Sequence, residues 1–410
     1  MNKDVLYITY DGLSDPLGQS QIIPYLTGLA DSGYSITIVS CEKREAMKKN
    51  HARISDLLKQ KKIRWEYSIY KRKPAVISAF FNLLSLRNKS IRSHKRKNYS
   101  IVHCRSYIAS LIGLEMKKRF KTKFIFDMRG FWADERVEGG LWDLKNPIYK
   151  FLYNYFKKQE TAFLSNADYT ISLTKKAKNI IHERKDIPRQ PVPIQVIPCC
   201  VDLDHFSRKK NKEEDIHLLK KTLNISEGDF ILAYLGSIGT WYCLEEMLVF
   251  FKHLLGAKPN AKFLFITPDD PENIFSISDR LTVPRDKIII RSATYTEVPL
   301  YLSLSNLSLF FIKPCFSKSA SSPTKMGELM AMEIPVVCNS GIGDTDELIH
   351  KMKNGIAIDK FSEPEYQNAI ATIEHLKLPA KEIRKCAEDL FSLREGIKKY
   401  QLVYAALRGE

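Results

Sequence analysis

Short runs of β-branched and aromatic residues recur along almost the whole chain, separated by amphipathic stretches of helical length. The first strand candidates are Val5–Tyr10, Ser35–Ser40, Ile63–Ile69, Ile101–His103, Lys123–Asp127, Tyr169–Leu173 and Gln195–Ile197. A second series follows at Phe230–Leu235, Lys262–Ile266, Lys287–Ile290, Leu307–Ile312, Pro335–Cys338 and Ile356–Ile358. Alternation of this kind implies an α/β class with parallel sheets and helices on both faces. Between the series, the Pro-rich and then polar segment from Pro188 to Asp215 reads as an interdomain linker. Both series open with a strand, a glycine-containing turn and a helix. In the first, Asp11-Gly-Leu-Ser-Asp-Pro-Leu-Gly-Gln-Ser20 leads into a helix ending at Gly33; in the second, Gly236-Ser-Ile-Gly-Thr240 leads into a helix from Leu244. The pattern predicts two doubly wound halves whose ligands bind at the carboxyl ends of the strands. Neither turn is a G-x-G-x-x-G or a G-x-x-x-x-G-K-[ST], which argues against dehydrogenase and NTPase functions.

A length of 410 residues also favours two domains of about 200 residues each. The apolar share of 44% and charged share of 27% are those of a soluble globular chain. The first residues lack the apolar core and cleavage site of a signal peptide, and no run approaches the roughly 20 apolar residues of a spanning helix, so the expected compartment is the cytoplasm. Eight scattered cysteines without C-x-x-C spacing argue against a zinc site or a disulfide framework. Charge is distributed unevenly. The chain carries a formal +17, yet residues 41 to 125 hold 24 Lys and Arg against 5 Asp and Glu, a local +19 that leaves −2 for everything else. A field this localised predicts an anionic partner for the N-terminal half.

The segment from Lys313 to Cys338 concentrates the candidate chemistry. A strand runs into a Ser-rich loop, a helix starts near Pro323, and a new strand starts at Pro335. Proline is well placed at a first helical turn. The uncapped amides and positive dipole end beyond it suit an anion, with Lys325 beside them. Glu328 lies about one turn further in, where its carboxylate can accept hydrogen bonds from a ribose diol while the helix N-terminus holds a diphosphate. An ordinary βαβ crossover with a solvated Glu is the alternative reading.

This segment resembles the nucleotide-sugar site of retaining GT-B glycosyltransferases of family 4, whose pattern is Glu, seven residues, Glu, then Ala-Met-Ala-x-Gly-x-Pro-Val-Val. Glu328 matches the second Glu, and Ala331-Met-Glu-Ile-Pro-Val-Val337 matches the run after it. The resemblance continues elsewhere. Gly12 to Gln21 stands at the family's N-terminal glycine loop, Ala167 to Thr174 at its last N-domain strand, and Val196 to Phe206 at its linker. Gly341-Ile-Gly-Asp344 with Glu347 and the stretch from Phe391 through Tyr404 also fall in order. The resemblance implies a GT-B architecture, two doubly wound Rossmann-like domains facing across a cleft. Residues 1–200 would bind the acceptor and 201–385 the donor, and a helix over 386–410 would cross back to the N-domain.

The resemblance further implies donor binding by Gly236, Ser237, Ser322, Thr324, Lys325 and Glu328, with Lys325, Arg129 and Asp127 as catalytic candidates and no metal or cofactor. Gly18, Gln19, His103 and Tyr242 are candidates for the cleft and acceptor. Four departures stand out. Ala320 replaces the family's first Glu, and Gln19 replaces the second loop glycine. No cation follows Gly236, which leaves the diphosphate to Lys325, with Lys313 or Lys318 as further candidates. Arg129 falls at or near a position where many relatives have His. For the cluster from Asp127 to Glu135, which includes Asp134, a cleft site and a solvated loop with internal ion pairs remain equal alternatives; His103 is equally at home as a structural residue.

The basic stretch includes an apolar helix after Pro74, flanked by Lys71, Arg72, Lys73, Arg87, Lys89, Arg92, Lys95, Arg96 and Lys97. This is the composition of an interfacial helix, with Phe80, Phe81, Leu83 and Leu84 as the inserting side chains. The alternative is a domain helix whose apolar face is core. The expected function is transfer of a sugar from a UDP- or GDP-sugar to an acceptor hydroxyl. The acceptor would be a lipid-linked saccharide in capsule, O-antigen or related polysaccharide assembly, met at the inner face of the cell membrane through an anionic lipid surface. A nucleotide-sugar 2-epimerase of similar fold is the second enzyme reading. A basic nucleic-acid-binding protein is a third, disfavoured by the lack of interleaved aromatic platforms.

Overall fold

The computed structural model describes residues 3–72, 74–353, 355–375 and 379–409. Among them thirteen strands form, each within one or two residues of its sequence-expected ends: β1 Asp4–Thr9, β2 Ser35–Glu42, β3 Arg64–Ile69, β4 Ile101–Arg105, β5 Lys123–Asp127, β6 Tyr169–Ser172, β7 Ile194–Val196, β8 Phe230–Leu235, β9 Ala261–Ile266, β10 Ile288–Arg291, β11 Leu307–Phe310, β12 Val336–Asn339 and β13 Gly355–Ile358. They make two sheets of parallel neighbours, ordered β3-β2-β1-β4-β5-β6-β7 and β10-β9-β8-β11-β12-β13. The chain divides accordingly into one unit of Met1–Pro198 with Leu393–Glu410 and a second of Cys199–Ser392.

Helices cover both faces of each sheet, which is why the inner strands read as unbroken apolar runs rather than alternating ones. Val5, Leu6, Ile8, Ile38, Val102 and Phe124 form the centre of the first core, and Leu232, Phe263, Leu264, Leu309 and Val337 that of the second. In each sheet the strand order reverses once, between β1 and β4 and between β8 and β11. The carboxyl ends at those points are where an open parallel sheet leaves room for ligands.

Two helices differ from the sequence expectation. The helix expected after Ser20 runs Ile23–Asp31, and the turn before it holds a short helix of its own, Pro16–Gln21; the two stay separate at Ile22, because Pro24 has no N–H with which to continue the ladder. The crossing helix expected over 386–410 is divided at Ser392, which takes an extended conformation and bridges to Val201. Ala380–Phe391 stays on the second unit against the Thr324–Ala331 helix, and Leu393–Arg408 packs on the Ile23–Asp31 helix of the first. Among the described residues no helix is long and apolar enough to cross a membrane.

Candidate functional site

In the second unit, β8 ends at Leu235 and Gly236 follows with φ +103°, a left-handed turn that glycine adopts without strain. Asp269 fixes this turn from the end of β9: its carboxylate accepts hydrogen bonds from the Ser237 hydroxyl at 2.9 Å and the Ile238 amide at 2.5 Å. On the other side of the reversal, β11 leads through Lys313 and a 3-10 turn, Phe316–Ala320, to the Thr324–Ala331 helix. Pro323 precedes that helix and no side chain caps it, so its first amides and dipole face the reversal point.

Lys325 projects from this first turn to the glycine turn, its Nζ 3.6 Å from where a Cβ on Gly236 would lie. Three rings surround it, those of Tyr242 at 3.6 Å, Tyr234 at 4.1 Å and Phe310 at 5.8 Å from Nζ to ring centroid. The ammonium is buried and has no hydrogen-bond partner. Burial lowers its pKa well below the ordinary lysine value, against the opposing pull of Glu328. Burial likewise raises Glu328 to about 7, only partly offset by Lys325. Desolvation therefore disfavours the charged form of both partners, and a dianion arriving beside Lys325 would supply the countercharge that side chain lacks. Tyr242 itself is pushed up to about 12, by burial first and then by Glu328.

In the first unit, the ends of β4 and β5 bring His103, Arg105, Asp127 and Arg129 together. Tyr400 donates to Asp127 Oδ2 at 3.2 Å, His103 Nε2 lies 3.5 Å from the same oxygen, and Arg129 Nη1 lies 3.8 Å from Oδ1. His103 Nδ1 is 2.8 Å from the Tyr404 hydroxyl. Asp127 and His103 are each 1% exposed, sealed by the Leu393–Arg408 helix. Burial pushes Asp127 up, but Arg129, the hydrogen bond to His103 and Arg105 outweigh it, and its pKa ends below the ordinary value. His103 is lowered by burial.

Residues 25–205 match the family model described as Glycosyltransferase Family 4. The chain has the GT-B fold, and residues 25–205 are similar to glycosyltransferases of family 4. Sucrose-phosphate synthase from Thermosynechococcus elongatus shares the fold with a TM-score of 0.74 at 14% identity, over 99% of each chain. A glycosyltransferase from Rickettsia africae gives 0.74 at 16% identity, over 98% of each chain. Anabaena HepE in complex with UDP gives 0.72 at 13%, over 98% of this chain and 100% of that one. No curated protein matches the chain in sequence.

The donor candidates Gly236, Lys325 and Glu328 converge in the second unit, together with Tyr242, expected on the acceptor side of the cleft. Thr324 opens the same helix, while the Ser322 hydroxyl accepts the Cys199 amide and Ser237 is tied to Asp269. Lys318 is buried over the Trp241 ring at 3.6 Å, Lys313 is exposed, and Ala320 is buried with no carboxylate in its place. Among the acceptor candidates, His103 lies inside the buried cluster under the terminal helix. Gly18 is a close-approach glycine, since a Cβ there would meet the Gly12 carbonyl at 2.1 Å. Gln19 donates to the Ser14 carbonyl and accepts from Arg53. Asp134 is held by Tyr153 and Lys157.

The sequence reading missed Tyr234, Asp269 and Glu42. Glu42 ends β2 buried, accepting from the amides of Leu13 and Ser14 at 2.7 and 3.0 Å and from the hydroxyls of Ser14 and Ser40. The one signal for it was a glutamate closing a strand with no other charged residue. Tyr295, also missed, stacks on His205 at 4.2 Å, and Glu328 contributes to raising its hydroxyl pKa after burial. Among the described residues no group of three or more His, Cys, Asp or Glu is arranged to hold a metal ion.

Proposed function

We propose that the enzyme transfers a glycosyl group, with retention and without a metal ion, from a UDP- or GDP-sugar to a hydroxyl of a lipid-linked saccharide. The observation that carries the donor half is Lys325, a buried ammonium lacking a hydrogen-bond partner, placed between an uncapped helix N-terminus and a glycine turn where the strand order reverses. The diphosphate would lie against those amides and Lys325, where charge growing on the leaving group meets a fixed cation in a water-poor site. Glu328 would accept the ribose hydroxyls. Structures of HepE with UDP and with UDP-glucose support a nucleotide-sugar donor by likeness of fold. The acceptor half rests on the basic first unit. Its Ala75–Lys97 helix leaves Ile77, Phe80 and Phe81 exposed, which suits an enzyme working on the inner membrane face in polysaccharide assembly. Leu83 and Leu84 are only partly exposed, and Lys73, also assigned to this surface, lies outside the described residues.

Thermal shift against UDP-, GDP- and ADP-sugars tests the donor assignment. A true donor at 100 times its Kd should add about 2.7 kcal/mol. No shift with any of them would refute it. Glu328→Gln should weaken that binding by about 1.5–3 kcal/mol, the worth of a hydrogen bond to a charged group. Wild-type affinity should also rise with pH through the region of 7 in which Glu328 ionises, because the carboxylate is the better acceptor. A nucleotide sugar has no phosphate ionisation near that pH, so calorimetric titrations across it read the protein, and the Gln variant should give a flat profile.

A further inference from the structure

Three helices form one layer against the first sheet, with Ser106–Phe120 in the middle and Ala75–Lys97 and Pro147–Asn166 on either side. Leu83 and Leu84, Leu111 and Leu114, and Tyr155 line a shared groove of about 580 Å³ between them. Each outer helix carries an apolar stripe leading out of that groove. On the first it is Ile77, Phe80, Phe81 and Leu84, at i, i+3, i+4 and i+7; on the second, Ile148, Phe151 and Tyr155, at i, i+3 and i+7. Ile77, Phe80, Phe81, Ile148 and Phe151, with Leu141 just before the second helix, are each more than half exposed. These helices follow β3 and β5, so both stripes begin at the carboxyl edge of the sheet, the edge at which an acceptor would bind. Packed helices lie 8–10 Å apart, which puts the two stripes roughly 16–20 Å apart across the middle helix.

The charge on the helices is strongly positive, while the segment carrying Leu141 is mixed, with Asp134, Glu135, Glu138 and Asp143 against Arg136 and Lys145. The three helices carry twelve Lys and Arg against two Glu. Glu115 is paired with Arg87, and Glu160 is fully buried against Lys157 and Arg184. An apolar surface of this extent marks an interaction site, and one carried on helices with a large net positive charge is complementary to an anionic bilayer.

We propose that Leu141, Ile148 and Phe151 form a second membrane footing that enters the interface together with Ile77, Phe80 and Phe81. Two footings across one layer fix a plane where a single helix would leave the protein free to roll. They hold the carboxyl edge of the first sheet at the lipid headgroups, where a saccharide on a lipid anchor is presented. This inference rests on the membrane reading above and adds to it the orientation.

Co-sedimentation of the full-length protein with phosphatidylcholine vesicles, with and without phosphatidylglycerol, tests it. Wild type should pellet with the anionic vesicles in a salt-sensitive way, and Ile148→Ser/Phe151→Ser should lower the partition coefficient roughly tenfold, as should Phe80→Ser/Phe81→Ser. All these side chains are exposed, so both variants should melt with wild type and keep their nucleotide-sugar thermal shift. Release by the 80/81 variant with wild-type pelleting of the 148/151 variant overturns the second footing and leaves the membrane reading intact. Failure of wild type to pellet removes both. A wild-type dimer in sedimentation velocity that the 148/151 variant splits would instead assign this face to a second copy of the chain.

Discussion

Replacing Lys325 with methionine should lower kcat about 10²- to 10³-fold, the usual loss when one preorganised group facing the departing charge is removed. KM should change less, because the diphosphate carries more charge in the transition state than in the bound donor. The same substitution should leave the second unit as stable as before or more so. Lys325 is buried among Tyr242, Tyr234 and Phe310 with no hydrogen bond to its ammonium. Its folded-state pKa lies below the ordinary one, so folding is progressively disfavoured as pH falls through the ordinary lysine value, and at neutral pH that cost is in force. Methionine fills a similar volume without it. Losing the cation also pushes Glu328 above about 7, so its carboxyl stays largely neutral in the variant. Steady-state kinetics and a melting curve on one preparation decide the matter. Unchanged kcat removes Lys325 from the chemistry, and a large fall in melting temperature shows that the ammonium is structural.

Glu42→Ala should destabilise the first unit by about 3 kcal/mol or more, since two amides and two hydroxyls lose a buried acceptor and each unsatisfied group costs about 1–3 kcal/mol. For a unit near 200 residues that is a fall of roughly 6–12 °C in Tm. Glu42→Gln should recover part of the loss and no more, because its NH2 group must face donors. Hydrogen exchange at the Leu13 and Ser14 amides should accelerate in both variants; protection equal to wild type would show that the Gly12–Ser14 turn holds its shape unaided.

The inner strands were legible because they bury both faces and therefore read as nearly uninterrupted apolar runs, as in Val5–Ile8 or Phe263–Ile266. The grouping of Lys325 and Glu328 was legible because both stand on one helix, three residues apart. Their surroundings were not. Tyr234 reaches Lys325 from β8 and Asp269 holds the glycine turn from the loop after β9, and nothing local distinguishes either from its neighbours. Glu42 acts on amides 28 and 29 positions earlier in the chain. The division at Ser392 was hidden for another reason: the flanking sequence keeps a helical period on both sides, and the break comes from Ser392 bridging to Val201.

The same division sets an order of assembly. His103 and Asp127 belong to the first unit, yet the side chains that cover them, Tyr400 and Tyr404, follow the whole second unit in the chain. During synthesis the usual expectation is that the N-terminal domain folds first. Here the segment 199–392 is made before Leu393–Arg408, so the second unit can close before the first is complete. The first must wait, its buried histidine and aspartate open to water, until the Leu393–Arg408 helix has been made and has docked.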